Sequence, residues 1–350
     1  MTAGKPQRIV NSVAPIRICD NGGWTDTWFA GHGKVCNVAV YPYVDVQVSV
    51  FDRGDRHERV MLNAENFGER YAIVPGDELP NRHPLLEAAI DEMGVPDDVA
   101  LEIAIHSDAP AGCSTGTSAA VTVALVGALD ALTPGRLTPH EVAYTAHRVE
   151  VDRLGLQSGI QDQLCSAYGG VSYIEMHDYP HATVSQLRLP DPVWWELERR
   201  LVLVFLGRTH VSSSVHERVI AELESEGPGA PRLAALRACA TDARDALSAG
   251  DFGAFGRAMQ DNTAAQEALH PELVSKDAAR VIEVARAHGA LGWKVNGAGG
   301  EGGSVTLLTG PSATEKRQLL RAVAEADPLY QVIPTYLSRF GLRIWEARLG

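Results

Sequence analysis

DAPAGCSTGTSAAVTVALVGAL, Asp108 to Leu129, changes character halfway. Between Asp108 and Ser118 it carries two glycines and five hydroxyl or thiol side chains, and beyond Ser118 it is small and mostly apolar. A polar, flexible loop opening a helix presents free backbone amides at the positive end of the helix dipole, a ready site for phosphate. Gly112 and Gly116 let the backbone wrap an anion. Gly116-Thr117-Ser118 lacks the lysine of a Walker loop, so phosphate charge must be neutralised by other means. Glycine, serine and threonine are also ordinary loop and N-cap material. Specificity therefore depends on partner motifs elsewhere in the chain.

The 350 residues, 45% of them hydrophobic, suffice for a sizeable core and suggest about two domains on a prior of roughly 150 residues each. A formal net charge of −13 argues against a nucleic-acid or anionic membrane surface. Cys19, Cys36, Cys113, Cys165 and Cys239 are scattered and form no CxxC pair, so neither a disulfide framework nor a zinc site is indicated. With no apolar leader in MTAGKPQRIV and no run long enough to span a membrane, the expectation is a soluble cytoplasmic protein, monomer or homodimer.

YVDVQVSVF and VALEIAIH alternate apolar and polar residues and predict strands with one buried face. Pro84 opens a helix that stops at Gly94, and a capping box from Thr138 to Glu141 opens another that runs to Gly155. GGVSYIEM and RLVLVFLG are further strands, and the region from Ser212 to about Leu269 is mostly helical, broken near Gly227, Pro228 and Pro231. From Ser275 onward the order is helix, strand, glycine loop, strand, helix, strand. The proline-bearing segment from His177 to Pro192 is the best boundary, giving domains 1–190 and 191–350, both α+β.

Three stretches can partner the loop. VNGAGGEGG, Val295 to Gly303, is followed by the β-prone SVTLL, which excludes a Rossmann fingerprint. GIQDQ sets Asp162 at the start of a short helix, where a carboxylate is also an ordinary dipole partner. Glu150 shares a helix face with Ala143, Ala146 and Leu154, an unusual place for a carboxylate unless it lies at a solvated edge.

In this order, APIRICDNGGWTDT, PAGCSTGTSAA and KVNGAGGEGG resemble the motifs of the GHMP kinases, the family of galactokinase, homoserine kinase and mevalonate kinase. The resemblance covers nearly the whole chain. Gly22 to Thr27 look most like the sugar-binding loop of L-fucose kinases, and GIQDQLCSAYGGVSYIE looks like the kinases of D-glycero-D-manno-heptose 7-phosphate. The resemblance implies an N-terminal domain like domain 2 of ribosomal protein S5, a ferredoxin-like C-terminal domain, and ATP between them. It implies ATP contacts from Pro110, Gly112, Cys113, Ser114, Thr115, Gly116, Thr117 and Ser118. Asp162 matches the acceptor of the substrate hydroxyl proton, and Arg17 a cation near the reacting groups able to lower that aspartate's pKa. Glu150 and Ser118 match ligands of Mg2+. Asp26 matches a sugar-hydroxyl acceptor, with Gly23, Trp24, Gly299 and Gly300 beside the substrate.

Departures from the family pattern are visible. Ser114-Thr115-Gly116-Thr117-Ser118 replaces the common Gly-Leu-Gly-Ser-Ser, and Leu206-Gly207-Arg208-Thr209-His210 stands where the heptose and fucose kinases have Thr-Gly-x-x-Arg. Glu301 replaces a glycine. Trp194 and Trp195 are expected to pack a surface, the His177/His181 pair is split by Pro180, and Cys113 has no histidine base specified near it. The implied activity is transfer of the ATP γ-phosphate to the anomeric hydroxyl of a sugar or sugar phosphate. A kinase of a non-sugar alcohol, a silent sugar or nucleotide sensor, and an ATP-dependent decarboxylase remain as alternatives.

Overall fold

The computed structural model describes residues 5–76, 79–133, 136–208 and 214–348. Two long antiparallel strands, β1 (Arg8–Asn21) and β2 (Gly33–Asp52), are followed by the hairpin β3 (Val60–Ala64) and β4 (Glu69–Ile73), helix α1 (Pro84–Met93) and strand β5 (Val99–Ser107). Helices α2 (Thr117–Asp130), α3 (Pro139–Arg148) and α4 (Gln161–Tyr168) come next, then the hairpin β6 (Val171–Asp178) and β7 (His181–Gln186). Val44, Val46, Val48 and Val50 are buried as their alternation requires. At twenty residues, β2 serves several partners: 44–52 pair with β5 and 33–38 with β6. The register against β1 jumps from Pro15↔Tyr43 to Ile16↔Val40, leaving out Pro42, which has no N–H to give to a ladder.

Helix α2 is buried on nearly every side, between the sheet and α1, α3 and α4, which explains its small apolar composition. Pro84 opens α1 and Gly94 closes it at φ 68°, and Thr138 and Glu141 make the expected reciprocal cap of α3. The helix does not continue to Gly155 as an α-helix. It widens after Arg148 into a π turn, Val149–Arg153.

The second half runs α5 (Asp191–Arg200), β8 (Leu201–Phe205), α6 (Ser214–Glu226), α7 (Pro231–Ala249), α8 (Phe252–Leu269), α9 (Lys276–Ala287), β9 (Gly292–Val295), β10 (Ser304–Leu308), α10 (Ala313–Ala326) and β11 (Gln331–Ile333). Its antiparallel sheet has the order β11-β8-β10-β9, the ferredoxin-like arrangement with the first crossover enlarged to four helices. The chain then returns. Strands β12 (Tyr336–Leu337) and β13 (Arg343–Glu346) pair with β2 and β1, so the described first sheet contains nine strands. The division proposed near residue 190 is thus crossed by the chain's own last strands, and the segment read as a boundary holds β7.

The returning segment also abuts α4. Leu342 N–H donates to Ala167 O at 3.2 Å, and a Cβ on Gly341 would lie 2.1 Å from that same oxygen. Gly341→Ala is therefore expected to cost about 1–3 kcal/mol, as forced overpacking does. Urea denaturation of the variant against the parent checks this.

Candidate active site

Arg17 lies on β1 and is 4% exposed. Its Nε and one terminal nitrogen donate to the two carboxylate oxygens of Asp162 at 2.7 and 3.1 Å, a planar fork matched to a carboxylate. The other terminal nitrogen donates to Ser114 O at 2.6 Å, and Arg17 N–H donates to Thr115 O at 2.9 Å. One arginine thus holds both the candidate base and the candidate phosphate loop. Burial works against its charge, but Asp162 and Asp20 outweigh it and raise its pKa further.

Asp20 extends the network into the second sheet. Its carboxylate accepts from Gly297 N–H at 3.0 Å and lies 3.4 Å from Lys294 Nζ. Lys294 is 1% exposed, and burial lowers its pKa. Its ammonium also donates to Gln266 Oε1 at 3.1 Å and to Val295 O. Four charges, two of each sign, meet here; Arg17, Asp20 and Lys294 are buried, and Asp162 alone is partly exposed to the cleft.

The loop ahead of α2 is bent by positive φ at Gly112, Ser114 and Gly116. Gly116 is the N-cap and no side chain caps the helix, which leaves the amides of its first turn available. A Cβ on Gly116 would approach the Asp162 carboxylate to 3.0 Å, so glycine there brings loop and carboxylate together. The C-terminal glycine loop closes from the other side. Cβ atoms on Gly297 and Gly303 would lie 3.2 and 2.7 Å from Ser114 side-chain atoms, and Ser304 Oγ donates to Cys113 O at 2.6 Å. Cys113 is buried and its thiol is pushed up to about 11 by desolvation. That suits a packing role rather than a nucleophile's.

Two cavities flank this junction. One, of about 370 Å³, borders Gly112, Thr117 and Ser118 and is walled by Phe67, His83, Leu85, Ile105 and Val121. Glu87 organises its rim, accepting from Tyr71 Oη and from the N–H groups of Asn81, Arg82 and His83. The other, about 280 Å³, borders Arg17, Asp162, Asp26, Trp24, Trp28 and His216. Asp26, 2% exposed, accepts from Gln161 N–H at 3.0 Å and from Gln161 Nε2 at 3.3 Å, which fixes it to the start of α4. Burial raises its pKa to about 6.

The π turn places Glu150 inward at 6% exposure, an arrangement frequent at functional sites. Its Oε2 accepts from Ser158 Oγ at 2.8 Å, while Oε1 is buried without a hydrogen-bond partner, as is Gln163 Oε1. Burial first, and Asp162 also, push the Glu150 carboxyl up to about 7. An orphaned carboxylate oxygen fits a hard cation. Among the described residues no three His, Cys, Asp or Glu side chains are placed to hold one metal ion, so such a cation would take its other ligands from hydroxyl, phosphate or water oxygens. Ser118 is exposed in the first turn of α2.

Not every expected residue faces the cleft. The glycine loop lines it through Gly297 and Ala298, whereas Gly299 and Gly300 are buried behind. Gly300 N–H donates to Leu273 O, and Gly299 O meets His216 Nε2 at 3.1 Å. Gly23 packs against Asp20 and Gln161. Arg208 and Glu301 are exposed, and Thr209 and His210 lie outside the described residues. Trp28, His216, Phe67 and His83 were not anticipated. They sit in no repeated pattern, and only topology gathers them.

Because Asp20 balances two buried cations, Asp20→Asn is expected to destabilise the protein by about 3–5 kcal/mol, the usual effect of stripping one partner from a buried charge network. Adding Lys294→Met should restore part of that loss. Denaturant midpoints of the single and double variants measure both effects.

Residues 84–170 match the family description "GHMP kinases N terminal domain", and residues 243–328 match "GHMP kinases C terminal". The chain is 28% identical over 245 residues to the D-glycero-alpha-D-manno-heptose 7-phosphate kinase of Campylobacter jejuni, covering 69% of each chain. It is 32% identical over 251 residues to the mevalonate kinase of Thermococcus sibiricus, covering 69% of this chain and 68% of that one. Its fold superposes with a TM-score of 0.75 on a D-glycero-D-manno-heptose 1-phosphate kinase from Bacteriodes thetaiotaomicron, at 23% identity over 97% of this chain and 100% of that one. With two matched domains and a fold shared over its length, the chain belongs to the GHMP kinase family of ATP-dependent phosphotransferases.

Proposed function

We propose that this protein transfers the γ-phosphate of ATP to the anomeric hydroxyl of a sugar, with Asp162 as the base. The observation that carries this reading is the meeting of three motifs at one carboxylate. Arg17 grips Asp162, Gly116 of the phosphate loop lies against it, and Asp26 is anchored to the residue before it. The 370 Å³ cavity beside Thr117 and Ser118 has the apolar walls a nucleotide base needs. The 280 Å³ cleft on the other side of Asp162 takes the acceptor.

The chemistry follows from that placement. Amides of the loop and of the first turn of α2 hold the phosphates, and the transferring group faces the acceptor. The acceptor oxygen forms a bond to the γ-phosphorus, the bond to the ADP oxygen breaks, and the hydroxyl proton passes to Asp162. Arg17 keeps the carboxylate oriented. Asp26 accepts a hydrogen bond from a substrate hydroxyl. We assign Mg2+ to Glu150 and Ser118; when bound it would neutralise charge on the nucleotide phosphates. The similarity to a mevalonate kinase supports a second reading, a kinase of a non-sugar alcohol working by the same residues.

Asp162→Asn retains a hydrogen-bonding oxygen for Arg17 but cannot take a proton at neutral pH. Turnover is expected to fall roughly a hundredfold or more while ATP binding stays nearly intact. ADP-release kinetics and calorimetry with nucleotide separate the two. Wild-type turnover in this variant would remove Asp162 as the base.

The Glu150 carboxyl, raised from 4.5 to about 7, makes proton and cation competitors for one group. As pH falls below about 7, the half-saturating Mg2+ concentration should rise, by up to about tenfold per pH unit. Glu150→Gln should need more Mg2+ at every pH and lose that dependence. Magnesium titrations of activity at several pH values test both statements.

A further inference from the structure

The acceptor cleft has an unusual charge inventory for a site that binds a substrate of a phosphotransferase. Among its described lining residues the one lysine or arginine is Arg17, and each of its three guanidinium nitrogens already donates, two to Asp162 and one to Ser114 O. Lys294, the next cation inward, is 1% exposed and held by Asp20, Gln266 and Val295 O. Against these stand Asp20, Asp26 and Asp162, all on the cleft wall. Among these described lining residues, a phosphate or carboxylate on the acceptor would meet like charge and no cation free of a carboxylate partner.

The rest of the wall is aromatic. Trp24 stacks on His216 with centroids 5.9 Å apart and rings 9° from parallel, and Trp28 meets Phe29 edge-on at 5.1 Å. Trp28 Nε1 donates to Glu224. Trp24 Nε1 does not have such a partner: it is buried and unsatisfied, although the residue is 8% exposed and lines the cleft. A buried indole N–H left without an acceptor is costly and rare. Trp24 is moreover held at φ 77°, a conformation that bulky residues avoid and that strain at functional sites explains.

We propose that the acceptor is a neutral polyhydroxylated sugar, bearing neither phosphate nor carboxylate, that packs on Trp24 and Trp28 and accepts a hydrogen bond from Trp24 Nε1. This rests on the sugar-kinase reading and narrows it. Aromatic faces take the C–H side of a sugar ring, the indole N–H takes one of its oxygens, and Asp26 takes a hydroxyl. Burial raises Asp26 to about 6, so it is ionised and repels an anion in mildly alkaline solution.

The test measures ATP-dependent ADP release, with intrinsic tryptophan fluorescence as a binding readout. The acceptors are D-glycero-D-manno-heptose against its 7-phosphate, D-mannose against the same sugar phosphorylated on its terminal carbon, and mevalonate. Free sugars should exceed their phosphates in kcat/KM by roughly a hundredfold, the scale of an uncompensated like-charge contact. Trp24→Phe keeps a ring and removes the N–H. It should raise KM for the free sugar roughly tenfold, with kcat and the KM for ATP little changed. Preference for the phosphorylated partner in either pair overturns this inference and leaves the sugar-kinase reading standing. Turnover of mevalonate alone overturns both, as does failure of every sugar, free or phosphorylated, either to react or to change the fluorescence. An unaltered sugar KM in Trp24→Phe removes the indole from recognition.

Discussion

Arg17 has to be paired on every side, and the architecture answers to that requirement. A guanidinium 4% exposed cannot shed its proton, so each donor needs a partner in place. Asp162 comes from a short helix, Ser114 from the loop before α2, and Asp20 from the same strand as Arg17 itself. Asp20 in turn requires Lys294 and Gly297, which belong to the second sheet and its glycine loop. Elements far apart in sequence are thereby brought to one point, and they are the elements that carry the candidate chemistry. Pairing makes the cluster tolerable in a dry interior, and rigid pairing also suits a reaction whose protein contribution is mainly placement.

Close approach is the second constraint. The phosphate loop lies between Asp162 on one side and the C-terminal glycine loop on the other, with spacing that admits no Cβ at Gly303 and little at Gly116. Positive φ at Ser114 lets the loop turn without a further glycine, which accommodates a sequence richer in hydroxyl groups than the family's usual one. Hydroxyl side chains there also help bind the loop to itself, as Thr115 Oγ1 and Thr117 Oγ1 do at 3.3 Å.

The parts of this molecule that follow a single local rule were legible in the sequence. Alternating valines announced the outer half of β2, a proline and a glycine bracketed α1, and a reciprocal cap opened α3. Strand β1 escaped because its second half is buried on both faces and therefore shows no alternation. The π turn escaped because the periodicity across Val149–Arg153 resembles that of a continuing helix. At the site, Arg17, Asp162, Asp26 and the loop of Gly112 and Gly116 could be found from motifs and do converge. The aromatic wall of Trp28 and His216, and the apolar cavity under Phe67 and His83, arise from packing between remote segments and leave no spacing to read.

The return of residues 343–346 to the first sheet bears on how the protein comes to be made. Residues 343–346 supply the partner for one side of β1, and the backbone around Phe340 and Gly341 closes over the end of the helix that begins at Asp162's neighbour, Gln161. During synthesis β1 and β2 are translated long before residues 343–346 emerge, so the sheet waits with one edge of β1 unpaired until they leave the ribosome. Pairing across more than 300 residues is slow by the entropy of the loop it closes. Closure of this edge is thus a late event in synthesis, and a nascent chain exposes the edge of β1 to other chains until residues 343–346 arrive.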